Sequence, residues 1–171
     1  MNIVLTGFMG TGKTTVGRRV AEVLSAAFLD VDATIEKETG HSVRHLFEDR
    51  GEVHFRALER DTIARLAAWD HAVISTGGGA LLDPDNRVAL KKNGFLVCLT
   101  ARTGTLLERL KEDMTRPLLV GEDPAGRIER LMRERNGVYA LCDLQIQTDG
   151  RTIEEVSTSI VDVVKKRWKN T

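Results

Sequence analysis

Gly7-Phe8-Met9-Gly10-Thr11-Gly12-Lys13-Thr14 matches the pattern G-x-x-x-x-G-K-[ST] at every fixed position. The apolar run Ile3-Val4-Leu5 precedes it, and Val16, Val20, Val23 and Leu24 follow at the spacing of one helical face. A strand, a glycine-rich loop and a helix in that order make a phosphate cradle. The glycines let backbone N–H groups turn inward and approach phosphate oxygens closely. The helix N-terminus adds the positive end of its dipole. Lys13 supplies a mobile charge for the outer phosphates, and the Thr14 hydroxyl is a hard oxygen ligand for Mg2+. Gly10, Thr11, Gly12, Lys13, Thr14 and Thr15 are therefore read as the binding loop for a nucleoside triphosphate.

The chain of 171 residues suits one domain with a sizeable core. Lys plus Arg equals Asp plus Glu at 25 each, which argues against nucleic acid or an anionic membrane as the main partner. Aromatic residues are few and show no stacking pattern for bases. Cys98 lies in the apolar run Phe95–Leu99, and Cys142 ends a helical stretch. Neither spacing suits a metal knuckle or a redox pair, so both are expected as free thiols in a reducing cytoplasm. No signal-peptide pattern is visible, and no apolar run approaches the roughly 20 residues that span a bilayer. A monomer is expected.

Short apolar runs alternate with helical patterns along the whole chain. The runs are Ile3–Leu5, Phe28–Leu29, Ala72–Ile74, Phe95–Leu99 and Leu144–Ile146. Helices are expected near 13–18, 33–48, 52–68, 84–93, 103–111, 125–141 and 153–168. This alternation implies an α/β fold with a parallel sheet covered on both faces. Ligands of such sheets bind beyond the carboxyl ends of the strands, where the P-loop, Asp30–Asp32, Thr76–Gly79 and Thr100 all fall. Two segments read as insertions. A long helical stretch after Asp32, broken at Gly40 and Gly51, is expected as a helical substrate-binding subdomain over about 31–62. A polar, turn-rich stretch over about 111–124 reads as a mobile lid.

Several residues can do chemistry. Asp30 and Asp32 flank Val31 after the second strand, and strand alternation would point both carboxylates one way. Beside a P-loop, such a pair can hold Mg2+ and orient an attacking hydroxyl, although Asp32 could instead cap the next helix. Arg56 and Glu59 could simply pair at the surface, or Arg56 could offer its planar fork to a substrate carboxylate. Gly77-Gly78-Gly79 follows the third strand, and backbone approaching a substrate is a better reason for three glycines than a plain turn. No aspartate closes that strand, so Mg2+ would rely on Thr14 and Asp30. Arg116, in the lid, could close over the transferring phosphate. Arg133 and Arg135 are two apart and cannot share a helix face, so one of them could reach the site. His41 and His45 stand at i, i+4 with no third ligand nearby, which reads as a solvated face.

The ordered set of P-loop, Asp30-Val31-Asp32, Gly51-Glu52 with Phe55-Arg56 and Glu59, Gly77-Gly78-Gly79 and Arg116-Pro117-Leu118-Leu119 resembles shikimate kinase over essentially the whole chain. The resemblance implies a three-layer P-loop kinase fold with parallel strand order 2-3-1-4-5. It implies ATP-dependent phosphorylation of the 3-hydroxyl of shikimate, on the route to chorismate and the aromatic amino acids. It also implies roles: Asp32 as base or orienting group; Arg56, Arg135 and the Gly77–Gly79 backbone as substrate contacts. Thr14 and Asp30 would hold Mg2+, Lys13 and Arg116 would flank the γ-phosphate, and Arg151 would lie near the adenine. Phe47, Phe55, Glu59, Pro117 and Leu118 would line the substrate pocket.

The chain departs from the family pattern at its C-terminal end. Gly137 stands where the family usually has proline, the stretch from Tyr139 to Asp143 is one residue short, and the aspartate after the last strand is not matched at Gln147. The alignment of Arg135 and Arg151 therefore rests on fewer matched positions. Three rival readings are weighed. A kinase of another small hydroxy acid such as gluconate is disfavoured by Arg56 and the triglycine. A GTPase-type switch has only Asp123-Pro124-Ala125-Gly126 to support it and lacks N-K-x-D. A catalytically silent nucleotide-binding module is disfavoured by Lys13, Asp32 and Arg116 standing together.

Overall fold

The computed structural model describes residues 1–110 and 123–168. Five strands, β1 (Asn2–Gly7), β2 (Ala27–Asp30), β3 (Ala72–Ser75), β4 (Gly94–Thr100) and β5 (Leu144–Gln147), form one parallel sheet. Their order is β2-β3-β1-β4-β5, as expected. The helices are α1 (Lys13–Leu24), α2 (Val31–Thr39), α3 (Val43–Ala67), α4 (Pro84–Lys92), α5 (Thr103–Leu110), α6 (Pro124–Tyr139) and α7 (Ile153–Trp168). A short 3-10 turn, Ala80–Leu82, follows the triglycine.

The central strands β1, β3 and β4 are buried on both faces, which is why their sequences are continuous apolar runs without alternation. The edge strands β2 and β5 are only partly buried. One face of the sheet packs Ile3, Leu5, Val73, Val97 and Leu99 against Val16 and Val20 of α1 and Val156 and Ile160 of α7. The other face packs Val4, Ile74 and Leu96 against α2, α3 and α4 through Ile35, Ile63 and Leu90. A third cluster joins Phe8 of the P-loop to Leu106 and Leu110 of α5 and Ile128 of α6. The P-loop is thus gripped from below by strand packing and from the side by two helices.

Several expectations are corrected. Helix α1 runs six residues beyond position 18, to Leu24, and Val23 lies off its buried face at 42% exposed. The helical stretch from 33 to 48 is two helices. Gly40 closes α2 in a left-handed C-cap, and α3 begins at Val43 behind a Ser42 cap that accepts from His45 N–H. Inside α3, Gly51 takes φ 78 and ψ 170, a conformation that kinks the helix and that a side chain would oppose. Helix α6 ends at Tyr139, so Cys142 falls in the turn beyond it; both cysteines are free thiols. His41 and His45 are exposed, their rings 4.8 Å apart. Of the expected lid, 111–122 lie outside the described residues. Asp123 and Pro124 are the N-cap and first residue of α6.

Gly137 lies in the last turn of α6, exposed, and a Cβ added there would meet nothing within 4 Å. Replacing it with alanine should remove unfolded-state freedom without a clash. Gly137→Ala is expected to stabilise the fold by about 0.5–1 kcal/mol and to raise Tm by roughly 1–4 °C in a thermal melt.

Candidate functional site

The site lies at the carboxyl ends of β1, β2 and β3. On the nucleotide side, Gly12 adopts φ 90 and ψ 17 as the N-cap of α1, and no side chain caps that helix. Its first-turn N–H groups, at Lys13, Thr14 and Thr15, are the dipole end that suits a phosphate. The Lys13 ammonium donates to Gly7 O at 3.0 Å and to Phe8 O at 2.9 Å, which keeps it folded inside the loop. Thr11 works structurally, its hydroxyl donating to Phe8 O at 2.8 Å.

Asp30 joins the two sides of the cleft. Its Oδ2 accepts from the Thr14 hydroxyl at 3.0 Å, and its Oδ1 accepts from Ala33 N–H at 3.1 Å. The cap considered for Asp32 therefore belongs to Asp30, because α2 starts at Val31 and not near Ala33. Strand alternation is likewise not what aims Asp32. Val31 is fully buried at the head of α2, and Asp32 follows it in the first helical turn. A hydroxyl and a carboxylate 3.0 Å apart are hard oxygen donors that fit Mg2+. Among the described residues no group of three or more His, Cys, Asp or Glu is arranged to hold a metal. That suits an ion that takes the rest of its shell from phosphate and water oxygens.

On the acceptor side, the triglycine is where the functional side chains converge. A Cβ at Gly77 would sit 2.9 Å from Glu59 Oε1 and 3.2 Å from Asp32 Oδ1. One at Gly79 would sit 2.7 Å from Arg56 Nη2, and one at Gly78 would sit 3.4 Å from Arg135 Nη1. None of the three glycines has a positive φ, so close approach is the reason for them. Arg135 donates to Gly78 O at 3.2 Å and stacks over the Phe8 ring at 5.4 Å, whereas Arg133 is exposed. The open choice between those two arginines is thus made by the fold.

Arg56 and Glu59 do pair, but not at the surface. Glu59 is 1% exposed, and its Oε2 accepts from Arg56 Nη1 at 2.6 Å. Glu52 Oε1 accepts from Nε and Nη2 at 3.2 and 3.1 Å. The Phe47 and Phe55 rings, 4.5 Å apart, lie together on one side of the guanidinium at 5.8 and 5.4 Å. Burial works against the Arg56 charge, yet Glu59 and Glu52 outweigh it and hold the guanidinium above its usual value. Burial also pushes the Glu59 carboxyl up, against the pull of Arg56.

Arg116 lies outside the described residues. Arg151 turns toward α7, donating to Glu155 O at 2.8 Å and Ser159 Oγ at 2.6 Å. Sequence reasoning missed Arg109, which ties the P-loop to the loop after β5. Its Nη1 reaches Gly10 O at 3.3 Å and Thr148 Oγ1 at 3.0 Å, and its Nη2 reaches Thr148 O at 3.1 Å. No motif marks it. Asp149 was also missed. It accepts from Arg102 N–H at 3.0 Å and from the Thr105 hydroxyl at 2.6 Å, anchoring the start of α5. Tyr139, too, went unmarked, and its hydroxyl donates to Gly78 O at 2.7 Å.

A P-loop facing a carboxylate–arginine pocket across a 2-3-1-4-5 parallel sheet defines a P-loop kinase of small molecules. The family model for shikimate kinase matches residues 9–165. A curated shikimate kinase from Caldanaerobacter subterraneus subsp. tengcongensis is 46% identical over 160 residues, covering 94% of each chain. A solved shikimate kinase from Acinetobacter baumannii, in complex with shikimate, superposes with a TM-score of 0.92 at 36% identity, covering 97% of this chain and 93% of that one. The chain belongs to the shikimate kinase family. A gluconokinase from Sinorhizobium meliloti shares the fold at a TM-score of 0.68 but only 18% identity, covering 99% of this chain and 94% of that one.

The raised Glu59 carboxyl has a measurable consequence. Its native form keeps the proton to higher pH than the unfolded chain does, starting from the ordinary value of 4.5. Stability from this group is complete below the unfolded value and declines as pH rises through the native one. The variant Glu59→Gln carries no such proton. Its Tm relative to the parent should therefore climb as pH is raised from about 4 toward neutrality. A gap that stays constant across parallel thermal melts would show that burial does not govern this carboxyl.

Proposed function

We propose that this chain transfers the γ-phosphoryl group of ATP to the 3-hydroxyl of shikimate, as a monomeric cytoplasmic enzyme supplying chorismate synthesis. The observation that carries the reading is the convergence of Asp32, Arg56 and Arg135 on Gly77–Gly79, opposite a complete P-loop. Membership of the family supports the same substrate pair.

Phosphoryl transfer asks little covalent chemistry of a protein. It needs an in-line hydroxyl, neutralised phosphate charge and excluded water. Asp32, at Gly77, orients the acceptor hydroxyl and takes its proton as the bond to phosphorus forms. Arg56 and Arg135 grip the substrate carboxylate, with the triglycine backbone between them. Lys13 exchanges its loop carbonyls for phosphate oxygens, and the uncapped start of α1 holds the remaining charge. Mg2+, held by Thr14 and by Asp30 directly or through water, supplies electrostatic stabilisation of the phosphate oxygens when bound. Arg116 closes from the lid over the transferring group, and Arg151 lies toward the adenine side, both on the strength of the family resemblance.

A coupled ADP-release assay with shikimate and related hydroxy acids, gluconate included, tests the substrate. Turnover confined to shikimate is expected, and a preference for another acid would overturn the assignment. Asp32→Asn should lower kcat by about 100- to 10,000-fold while ATP still binds, and near-normal turnover would remove Asp32 from its role. Arg56→Lys keeps a charge beside Glu59 but loses the planar fork. It should raise the KM for shikimate roughly tenfold and leave that for ATP unchanged. An effect on ATP alone would refute the carboxylate clamp.

A further inference from the structure

We propose that the Tyr139 hydroxyl is a positioning residue for the acceptor, acting through the peptide between Gly78 and Gly79; this rests on the substrate reading above. Tyr139 closes α6 and is buried, 7% exposed. Its hydroxyl donates to Gly78 O at 2.7 Å, and Arg135 Nη1 donates to the same oxygen at 3.2 Å. A trans peptide points its C=O and N–H in opposite directions, and the chain has no cis peptides among its described residues. Fixing the Gly78 carbonyl on α6 therefore aims the Gly79 N–H away from α6, toward the side where Arg56 lies against Gly79.

The surrounding carbonyls are held as well. Gly77 O accepts from Ala80 N–H at 3.2 Å, and Gly79 O from Leu82 N–H at 3.0 Å. Ala80 O accepts from Asn86 Nδ2 at 3.0 Å, and Leu81 O from Arg87 Nη1 at 2.6 Å. Every carbonyl from Gly77 to Leu81 is thus tied to the protein, while the Gly79 N–H donates to no group among the described residues. A carboxylate on the Arg56 side finds that N–H already turned to it, with no backbone reorientation on binding. Burial pushes the phenol up to about 12, with Arg135 pulling the other way, so the hydroxyl stays a donor over the working pH range. Arg135 and Tyr139 are four apart on α6, which places both groups over one oxygen. The position between them, Gly137, is exposed and takes no part.

Tyr139→Phe removes this donor and keeps the ring. The KM for shikimate should rise about 3- to 10-fold, the size of one well-formed hydrogen bond, with kcat and the KM for ATP changed less than about twofold. Discrimination between shikimate and its carboxamide analogue should shrink by the same factor. In the ligand-free protein the Gly79 amide should exchange with solvent faster, and its proton–nitrogen cross-peak should move, while Tm changes little. The amide readout needs no substrate. If it responds but the parent does not phosphorylate shikimate, the substrate reading has failed and the positioning role stands. If the amide and the shikimate KM are both unmoved, or if both KM values rise together, Tyr139 is only packing and the proposal is overturned.

Discussion

At Gly77 and Gly79 the backbone passes so close to Glu59, Asp32 and Arg56 that a single methyl at either would crowd a charged group, and Arg135 lies in contact with Gly78 between them. The four side chains come from α2, α3 and α6, and the three helices share no sequence neighbourhood with the triglycine. They meet because the strand end that carries the triglycine leaves room for them. Removing side-chain volume here is an unusual use of glycine. The unfolded-state entropy it costs does not serve a tight turn, since φ is not positive at any of the three positions. It is exchanged for proximity between charged groups and main chain.

That proximity sets the electrostatics. The Glu59 carboxylate, 1% exposed, is paired at 2.6 Å with Arg56, which is 28% exposed and is also held by Glu52. Truncating one partner of such a pair typically costs about 3–5 kcal/mol, while replacing the whole pair with apolar groups often costs nothing. The pair is therefore a poor source of stability and a good source of orientation. It holds a planar cation at a fixed angle beside the contacting pair of Phe47 and Phe55 rings. Exposed pairs such as Arg65 with Glu38 contribute little by comparison.

The nucleotide side is built by a different logic. The P-loop is seated by packing, with Phe8 buried against α5 and α6 and Gly7 opposite Leu99 in the sheet register. A Cβ at Gly7 would clash with Leu99 O, so the loop begins at a position beside β4 that only glycine fits. Asp30 then links this rigid loop to α2 and the acceptor side. Through one carboxylate, the helix that places Asp32 is tied to the hydroxyl of Thr14. The P-loop and the helix that carries Asp32 are thus referenced to each other by a contact of three residues.

Local patterns alone determined the strand–loop–helix of the phosphate site, the five apolar runs and the breaks at Gly40 and Gly51. Each of these depends on a residue and its near neighbours: periodicity, turn geometry or the lack of a Cβ. The resemblance carried by the ordered motifs added the strand order and the substrate. What the chain could not reveal locally was decided by tertiary contact. Asp30 rather than Asp32 became the cap because α2 begins at Val31, whose side chain packs into the core. Glu59 proved buried rather than solvated, since α3 presses it against Gly77. Arg135 was chosen over Arg133, and Tyr139 and Arg109 entered the site, because the partners they touch lie 57, 61 and 99 residues away. A hydrogen bond to a distant backbone oxygen leaves no periodic trace in the chain, so only the folded structure assigns it.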